Sequence, residues 1–424
     1  MRICILNEFF YPDSTGGTGS ILTDVVRKLV TNHDDLQIDV ITSKHLYRVK
    51  NANLSSEENW EGVRITRLNT PYPRQKSLSR RLYANLSYSF VSFITLMRRE
   101  PYDLVMVSTA PPTAPLAAHL FKLLRKIPYI YLIYDLEPDR SISMGVLKDR
   151  SIPVKVVRKV QKAWLHTAHR VVVIGRCMND RISKTYDLTD SNTSIIPVGF
   201  DPDIVSPKKT SHFRDANGID GFVVLYAGNF GLYHNFDTIL DAASKLRNLN
   251  ANVTFVFVGD GAQKEHIHHR IIDEGLTSVR LFPYVPSTQY EDLLASADVC
   301  MVTLEPGMEG LCVPSKFYSI LAAGRATIAM IHPDSEVCRV LEEDECGLRI
   351  DPCDVDGLVA NILRLVNSPD ESKRFGQNAR RALMDNYTIS HAAQQFHQLF
   401  MDCLGEVVEQ SEPLSYASTL TKTR

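Results

Sequence analysis

The feature that most constrains the fold is an alternation of short apolar segments with helix-like stretches, which runs through the chain twice. The first series contains strand candidates at residues 3–6, 38–42, 64–68, 104–107, 129–133 and 171–174. A polar stretch at 201–220 precedes the second series, at residues 223–226, 253–258, 279–282, 299–302, 327–331 and 348–350. Continuous apolar strands separated by helices are typical of parallel sheets covered on both faces. The sequence therefore predicts the α/β class, with two doubly wound, Rossmann-like domains facing each other across a cleft.

The chain length supports this division, because 424 residues exceed what one hydrophobic core ordinarily serves. We place the first domain at residues 1–200 and the second at 201–388. A helix at 389–408 is expected to cross back to the first domain. The polar segment 409–424 lacks hydrophobic periodicity, so we expect it to be disordered. Doubly wound sheets bind ligands at the carboxyl ends of their strands, so the cleft suits an enzyme with one substrate per domain.

The composition is that of a globular protein, with 44% hydrophobic and 23% charged residues. A net charge of −2 gives no electrostatic basis for nucleic-acid binding. The eight cysteines form no CxxC pair, which indicates neither a zinc site nor a redox motif and favours a reducing cytoplasm. The apolar segment 3–6 is too brief for a signal peptide, and no apolar stretch approaches the ~20 residues of a membrane span.

A candidate anion site lies in the segment 313–318, which reads VPSKFY. Pro314 and Ser315 predict the start of a helix, and Gly324 predicts its end. Lys316 then places a positive charge in the first turn, where the helix dipole disfavours it. A bound diphosphate would explain that charge, since it also suits free N–H groups at a helix start. The alternative is an ordinary surface lysine beside a cap.

Glycines follow three of the predicted strands, where they allow the backbone to approach a ligand. The first group is the GGTG segment at 16–19, which includes Gly16 and Gly17 and precedes a helix start. The other two are GNFG at 228–231 and GDG at 259–261. The spacing of the first group is neither GxGxxG nor that of a P-loop, which argues against both of those nucleotide sites. Each loop could instead be a tight strand-to-helix turn.

Two carboxylates, Asp135 and Glu137, follow an apolar strand of the first series. Because the carboxyl end of a parallel strand faces the cleft, both are candidates for a general base or for stabilising a transition state. Asp135 could instead cap the next segment, and Glu137 could simply be solvated.

The helix predicted at residues 80–99 carries arginine pairs at both ends and apolar residues between them, including Leu82, Leu86 and Phe90. Arginines beside apolar side chains suit an anionic bilayer surface, which would give a peripheral membrane contact. A helix that faces the hydrophobic core would show the same pattern.

Metal binding is not expected. His266, His268 and His269 have no carboxylate or cysteine partner at a recognisable spacing, so a polar helix face explains them better. The DPD segment at 201–203 lies in the interdomain connection. The DVD segment at 354–356 stands at a helix start, where capping accounts for it.

Together these segments resemble the retaining glycosyltransferases of family 4, which have the two-domain GT-B fold, over nearly the whole chain. The subgroup they resemble builds bacterial surface polysaccharides and includes fucosamine-type transferases. The order and spacing of the motifs carry the resemblance. The matching residues are Gly16-Gly17-Thr18-Gly19, Ser108-Thr109-Ala110-Pro111-Pro112, Asp135-Leu136-Glu137-Pro138-Asp139, Ile196-Pro197-Val198-Gly199-Phe200-Asp201, Gly228-Asn229-Phe230-Gly231, Pro314-Ser315-Lys316-Phe317-Tyr318 and Ala322-Ala323-Gly324.

The resemblance implies transfer of a sugar, with retained anomeric configuration, from a nucleotide diphosphate sugar, UDP-linked, to a saccharide or lipid-linked acceptor. The setting would be polysaccharide synthesis in the cytoplasm, at the inner face of the membrane. The first domain would take the acceptor and the second the nucleotide sugar. No metal or other cofactor is implied, because positive groups and helix ends would neutralise the leaving diphosphate.

The resemblance also implies roles for individual residues. Asp135 occupies the place where many relatives carry a catalytic histidine, and Asp135 and Glu137 form the expected catalytic pair. Val285 would lie near the nucleobase, and Ser315 and Lys316 near the phosphates. The expected donor-binding residues are Gly16, Gly17, Gly228, Asn229, Gly231, Val285, Glu309, Ser315, Lys316 and Ser319.

The chain departs from the family pattern at two places. Many relatives carry two glutamates eight residues apart, where this chain has Leu311 and Ser319, and Glu309 is two residues out of place. Relatives also often have a lysine after the first donor loop, where this chain has His234-Asn235. These departures keep two alternatives open, namely a sugar-nucleotide epimerase of the same fold and an inactive nucleotide-sugar-binding scaffold.

Overall fold

The computed structural model describes residues 1–13, 17–47, 52–73, 77–208 and 210–411, with side chains up to residue 406. The strands are β1 (Arg2–Leu6), β2 (Gln37–Ser43), β3 (Glu57–Trp60), β4 (Val63–Leu68), β5 (Leu104–Ser108), β6 (Tyr129–Ile133), β7 (Arg170–Val173), β8 (Thr193–Ile195), β9 (Phe222–Asn229), β10 (Val253–Asp260), β11 (Val279–Phe282), β12 (Val299–Thr303), β13 (Ala326–Met330) and β14 (Gly347–Ile350). The helices are α1 (Thr18–Asn32), α2 (Leu78–Arg98), α3 (Pro115–Arg125), α4 (Asp139–Ser143), α5 (Ile152–Thr167), α6 (Arg176–Tyr186), α7 (His212–Ala216), α8 (Asp237–Asn248), α9 (Lys264–Asp273), α10 (Tyr290–Ala295), α11 (Lys316–Ala322), α12 (Glu336–Glu343), α13 (Val355–Asn367), α14 (Pro369–Asn386) and α15 (Ile389–Ser411).

The first sheet has eight strands in the order β3-β4-β2-β1-β5-β6-β7-β8. All neighbouring strands are parallel except β3, which is antiparallel to β4. The central pair is β1 and β5, and the chain builds outward from it in both directions. This makes the gap beyond the carboxyl ends of β1 and β5 the switch point at which such sheets bind ligands.

The second sheet has six parallel strands in the order β11-β10-β9-β12-β13-β14, with its switch point between β9 and β12. Central strands of both sheets are buried on both faces. Strands β5, β6 and β12, for example, consist entirely of buried residues. The predicted α/β class with two parallel-sheet, doubly wound units is thus confirmed.

The two units meet where the chain crosses between them. Phe200 donates its N–H to the Tyr387 carbonyl oxygen at 2.9 Å, and Ile389 donates to the Phe200 carbonyl oxygen at 3.0 Å. Gly199 has φ +69°, and a Cβ there would lie 2.9 Å from the Thr388 carbonyl oxygen, so the crossing requires glycine. After this crossing, α15 packs against α1 of the first unit. It extends to Ser411, and residues 412–424 lie outside the described part of the chain.

No helix in the described ranges is both long enough and apolar enough to cross a membrane.

Candidate active site

The loops at the carboxyl ends of the two sheets touch each other across the cleft. Leu136, in the loop after β6, donates its N–H to the carbonyl oxygen of Leu311 at 2.9 Å. Arg181 donates to the carbonyl oxygen of Glu309 at 3.0 Å from the same side. The segment that precedes Lys316 is therefore held directly against the loop that carries the predicted catalytic carboxylates.

Lys316 is the central residue of the part of the site that the second unit contributes. Its side chain reaches the carboxyl end of β9, where Nζ is 3.5 Å from the centroid of the Tyr226 ring. Nζ is buried, and no hydrogen-bond acceptor reaches it within the described residues. A buried ammonium without an anion is costly, so this geometry indicates a missing anionic partner.

The electrostatics agree with this interpretation. Burial holds the pKa of Lys316 well below its ordinary value of 10.5. Burial also holds the pKa of His234 well below 6.5, and the nearby charge of Lys316 lowers it further. His234 is therefore neutral, and its Nδ1 donates to the Thr303 carbonyl oxygen at 2.6 Å. A bound anion would stabilise the charged form of Lys316 and so reverse the depression of its pKa.

The glycine loop after β9 leaves space for the lysine. A Cβ at Gly228 would lie 3.2 Å from both Cε and Nζ of Lys316. Asn229 is exposed beyond it, and Gly231 packs between the side chains of Asn229 and Tyr233. From the other unit, Gly17 precedes α1 with φ +80° and is exposed. Gly16 lies outside the described residues.

The predicted roles of Ser315 and Ser319 receive different support. Gly324, with φ +61°, ends α11 as predicted. The predicted helix start at Pro314 and Ser315 is confirmed, because α11 begins at Lys316 with Ser315 in the N-cap position, although the exposed Ser315 side chain makes no capping hydrogen bond. Ser319 is buried, and its hydroxyl bonds to Tyr290 Oη at 2.8 Å and to the Lys316 carbonyl oxygen at 2.8 Å. It therefore supports the segment that carries Lys316.

Glu309 and Leu311 form a structural turn beside this segment. The Glu309 carboxylate accepts the N–H of Gly307 at 2.9 Å. Leu311 is fully buried, so it contributes only its backbone to the cleft wall. Neither side chain supplies the carboxylate that many relatives have here.

The two carboxylates after β6 have different surroundings. Glu137 accepts from Arg140 Nε at 3.0 Å and from the Ser141 N–H and Oγ at 3.2 and 2.6 Å, so both of its oxygens are occupied. Asp135 pairs with Arg140 through Oδ2 alone, at 2.9 Å, and its side chain is 32% exposed. Burial raises the pKa of Asp135, and Arg140 partly offsets that rise. Asp135 is therefore the better-placed base.

Tyr233 is a site residue that sequence reasoning missed. Burial, together with the neighbouring groups Cys312 and Asp135, raises the pKa of Tyr233 to about 12. A hydrogen bond with Asn229 acts in the opposite direction. Tyr233, from the second unit, is thus close enough to Asp135 of the first for their electrostatic interaction to affect its pKa. Its position two residues after Gly231 was the available signal.

Glu8 is a second residue that the sequence analysis missed, at the switch point of the first sheet. It follows β1 directly, it is only 4% exposed, and no partner reaches its Oε1 among the described residues. Burial raises the pKa of Glu8 from 4.5 to about 8. A carboxylate after an apolar strand was the available signal, the same one that identified Asp135.

Val285 lines an open cavity of about 520 Å³ at the end of β11, together with Phe213, Tyr284 and Gln289. Strand β11 is two strands from β9 in the second sheet, so the cavity lies beside the strand end that Lys316 reaches, with β10 between them. This position is compatible with a nucleobase site.

The remaining candidates lie elsewhere. His266 pairs with Asp237 at 2.7 Å, and Asp354 caps α13 through the N–H of Gly357 at 2.8 Å. Side chains from α15 and the end of α1 form one compact histidine–carboxylate group, at the opposite end of α1 from the cleft. Its members are His33, Asp35 and His397.

Comparison with known protein families identifies the class. A model described as "Glycosyl transferase 4-like domain" matches residues 16–199, and one described as "Glycosyl transferases group 1" matches residues 208–382. Together they span most of the chain, and each covers one of the two sheets. The protein is therefore an enzyme of the glycosyltransferase class. It belongs to the GT-B glycosyltransferases, with a 4-like first unit and a group 1 second unit.

Similar proteins and structures carry related names. The chain is 27% identical to the glycosyltransferase WbjE of Pseudomonas aeruginosa, over 78% of this chain and 83% of that protein. It is 24% identical to a protein of Escherichia coli named as the colanic acid biosynthesis glycosyl transferase WcaI, over 90% and 96%. The structure resembles sucrose-phosphate synthase from Thermosynechococcus elongatus, with TM-score 0.77, 17% identity and coverage of 96% and 99%. It also resembles HepE of Anabaena in complex with UDP and glucose, with TM-score 0.71, 15% identity and coverage of 95% and 100%.

Proposed function

We propose that the chain transfers a sugar from a UDP-linked donor to a saccharide or lipid-linked acceptor in surface-polysaccharide synthesis, with retention and without a metal. The observation that carries this proposal is the buried Lys316 ammonium at the carboxyl end of β9, which has no acceptor among the residues that the structure describes. A relative named for colanic acid biosynthesis supports the polysaccharide setting. The HepE complexes, which contain UDP, support the choice of nucleotide.

On the donor side, breaking the bond between sugar and diphosphate leaves negative charge on the diphosphate. Lys316 would take up that charge in a site that excludes water, where an ion pair is strongest. Gly17, at the start of the 15-residue helix α1, would present free N–H groups and the positive end of a helix dipole from the opposite wall. These groups would stabilise the negative charge on the diphosphate, for which a metal ion would otherwise be needed.

On the acceptor side, Asp135 would take the proton of the attacking hydroxyl or stabilise the positive charge that develops on the sugar. Its raised pKa makes it a stronger base than an exposed aspartate. Arg140 fixes the orientation of its carboxylate. Tyr233 would close the site from the second unit and orient the sugar between the two.

A lipid-linked acceptor would put the enzyme in the cytoplasm, at the inner face of the membrane. Exposed arginines and apolar residues on α2, within the predicted 80–99 contact, support a peripheral association. Membership of the fucosamine-type subgroup is part of the same proposal.

Calorimetry with UDP, GDP, ADP and their common sugar conjugates in the presence of EDTA tests this function. We expect saturable binding of the uridine compounds, followed by transfer to a lipid-linked acceptor with retained anomeric configuration by NMR. Binding without turnover on any acceptor would favour the scaffold. Interconversion of free sugar nucleotide would favour the epimerase.

A further inference from the structure

Helix α2 exposes a set of large apolar side chains in addition to those, such as Phe93 and Leu96, that pack on its own domain. Its buried face carries small or polar residues as well as Leu96, at Ala84, Tyr88, Ser89 and Ser92. Its opposite face exposes the larger apolar residues Leu78, Leu82, Tyr83, Leu86 and Phe90, by between 42% and 67%. A four-residue spacing places residues 78, 82, 86 and 90 in one continuous stripe. An exposed stripe of this size marks an interaction surface.

Helix α5 repeats the arrangement. Ile152, Val156 and Val160 are again four residues apart and exposed, Ile152 by 77%. Exposed Lys155 and Lys159 alternate with them. The core-facing side is separate from this stripe and holds Val154, Gln161, Trp164 and Leu165.

Helix α3 joins these two helices into one surface. Arg125 of α3 donates to the Met97 carbonyl oxygen of α2 at 3.4 Å, and Lys122 of α3 donates to the Thr167 carbonyl oxygen of α5 at 2.5 Å. Leu123 and Leu124 of α3 are themselves more than half exposed. We call this surface the α2–α3–α5 face.

The charge of the α2–α3–α5 face differs from that of the chain. The whole protein has 47 basic and 49 acidic residues, yet these three helices contain no aspartate or glutamate. Their basic residues are Arg80, Arg81, Arg98, Lys122, Arg125, Lys155, Arg158, Lys159 and Lys162. Arg158 and Lys162 are paired with Asp149 and Asp187 of neighbouring segments, and the remaining basic residues leave the face with an excess of positive charge. Apolar stripes inside such a basic surface are complementary to anionic headgroups above hydrocarbon. A protein partner would need an equally long acidic and apolar surface.

We propose that the α2–α3–α5 face binds a bilayer that contains anionic phospholipid. The proposal rests on the proposed function, since a lipid-linked acceptor would be presented at such a surface. Helices α2 and α5 begin at the carboxyl end of the first sheet, so Leu78 and Ile152 lie at the cleft end of the face. A docked enzyme therefore has its acceptor-side cleft next to the headgroups.

Vesicle flotation of the full chain tests the surface directly. We expect binding to mixed phosphatidylcholine–phosphatidylglycerol vesicles and little binding to pure phosphatidylcholine. Leu82→Ser with Phe90→Ser should lower the partition coefficient by at least about tenfold, because two apolar anchors are lost. Leu249→Ser with Ile272→Ser, at residues equally exposed on the second unit, is the matched control. Lys159→Gln should weaken binding and its salt dependence, whereas the exposed Lys373→Gln should not.

Three results would overturn this inference. They are no binding to anionic vesicles, an equal loss of vesicle binding in the variant with Leu249→Ser and Ile272→Ser, or dimerisation of the wild type through these helices in sedimentation. Binding of UDP in solution, measured on the same variants, separates the two proposals. If UDP binds and vesicles do not, the docking proposal is wrong and the transferase proposal stands. If vesicles bind and nucleotide does not, the transferase proposal is wrong and the docking proposal stands.

Discussion

The ammonium of Lys316 lies 3.5 Å from the ring centroid of Tyr226, and it has no hydrogen-bond acceptor among the described residues. A cation–π contact contributes roughly 2 kcal/mol when desolvated, far less than is needed to compensate a buried charge. The second unit is thus built with a cation that an arriving anion would neutralise. Donor binding and the stability of the empty protein should therefore change in opposite directions when Lys316 is replaced.

We expect Lys316→Met to raise the melting temperature of the ligand-free protein, because a buried charge without an anion is removed. The folded pKa of Lys316 is depressed, so between that value and 10.5 the unfolded state binds more protons and wild-type stability rises with pH. The difference in melting temperature between Lys316→Met and the wild type should accordingly become smaller as the pH approaches 10.5. Thermal unfolding across a pH series measures both effects. A lower melting temperature at neutral pH would show that Lys316 is already compensated.

Asp135→Asn should lower the rate of sugar transfer by at least about a hundredfold, and it should leave the affinity for the donor nearly unchanged. Glu137→Gln is the matched variant, because that carboxylate is occupied by Arg140 and Ser141. It should retain transfer within about tenfold and lower stability by about 1 kcal/mol. Initial rates with calorimetric donor affinities check this pair. Wild-type turnover in Asp135→Asn would exclude Asp135 from the mechanism.

One further link between the two units is Arg176 of α6, which donates to Glu336 Oε1 at 2.9 Å and to Glu343 Oε1 at 2.6 Å. Glu336 is 5% exposed, whereas the Glu343 side chain is 54% exposed. Glu336→Ala should therefore cost about 3 kcal/mol, and Glu343→Ala less than about 1 kcal/mol. Denaturant unfolding measures the free energies, and small-angle scattering should show a larger radius of gyration for Glu336→Ala alone. An equal loss of unfolding free energy in Glu336→Ala and Glu343→Ala would contradict a stabilising role for the buried Arg176–Glu336 pair.

We expect Glu8 to make the free energy of unfolding decrease as the pH rises. Its folded pKa of about 8 exceeds the ordinary 4.5, so the folded state binds more protons between those values. The stabilisation is complete below about pH 4.5 and is lost as the pH rises through 8. Relative to Glu8→Gln, the wild type should lose up to about 1.4 kcal/mol per pH unit in this window. A pH-independent difference would show that Glu8 is ionised in the folded protein.

Periodicity was sufficient to predict the fold, because both faces of each parallel strand are buried and the sequence records this as continuous apolar runs. Strand β3 escaped that criterion, since Glu57–Trp60 is a polar strand at the edge of the first sheet. Strand β8 is only three residues long and none of its residues is buried. Edge strands need little burial, so their sequences carry little signal.

The site was predicted less completely. Lys316 and Asp135 could be proposed because a charge at a strand end or helix start is visible in sequence. The start of α11 at Ser315 was predicted, but the absence of a side-chain capping bond was not, because the side-chain direction depends on tertiary packing. Tyr233 and the exposed face of α2 required the structure, since an aromatic or apolar residue in sequence does not reveal what it faces.

The central claim is that Lys316 holds the donor diphosphate without a metal, and one titration tests it. UDP is titrated calorimetrically into the wild type, Lys316→Gln and the exposed control Lys373→Gln, all in EDTA. We predict binding by the wild type and the control, and a loss of tenfold to about a hundredfold in Lys316→Gln, as expected for a charge-assisted bond. Equal affinity in all three proteins, or no binding by the folded wild type, would contradict the account.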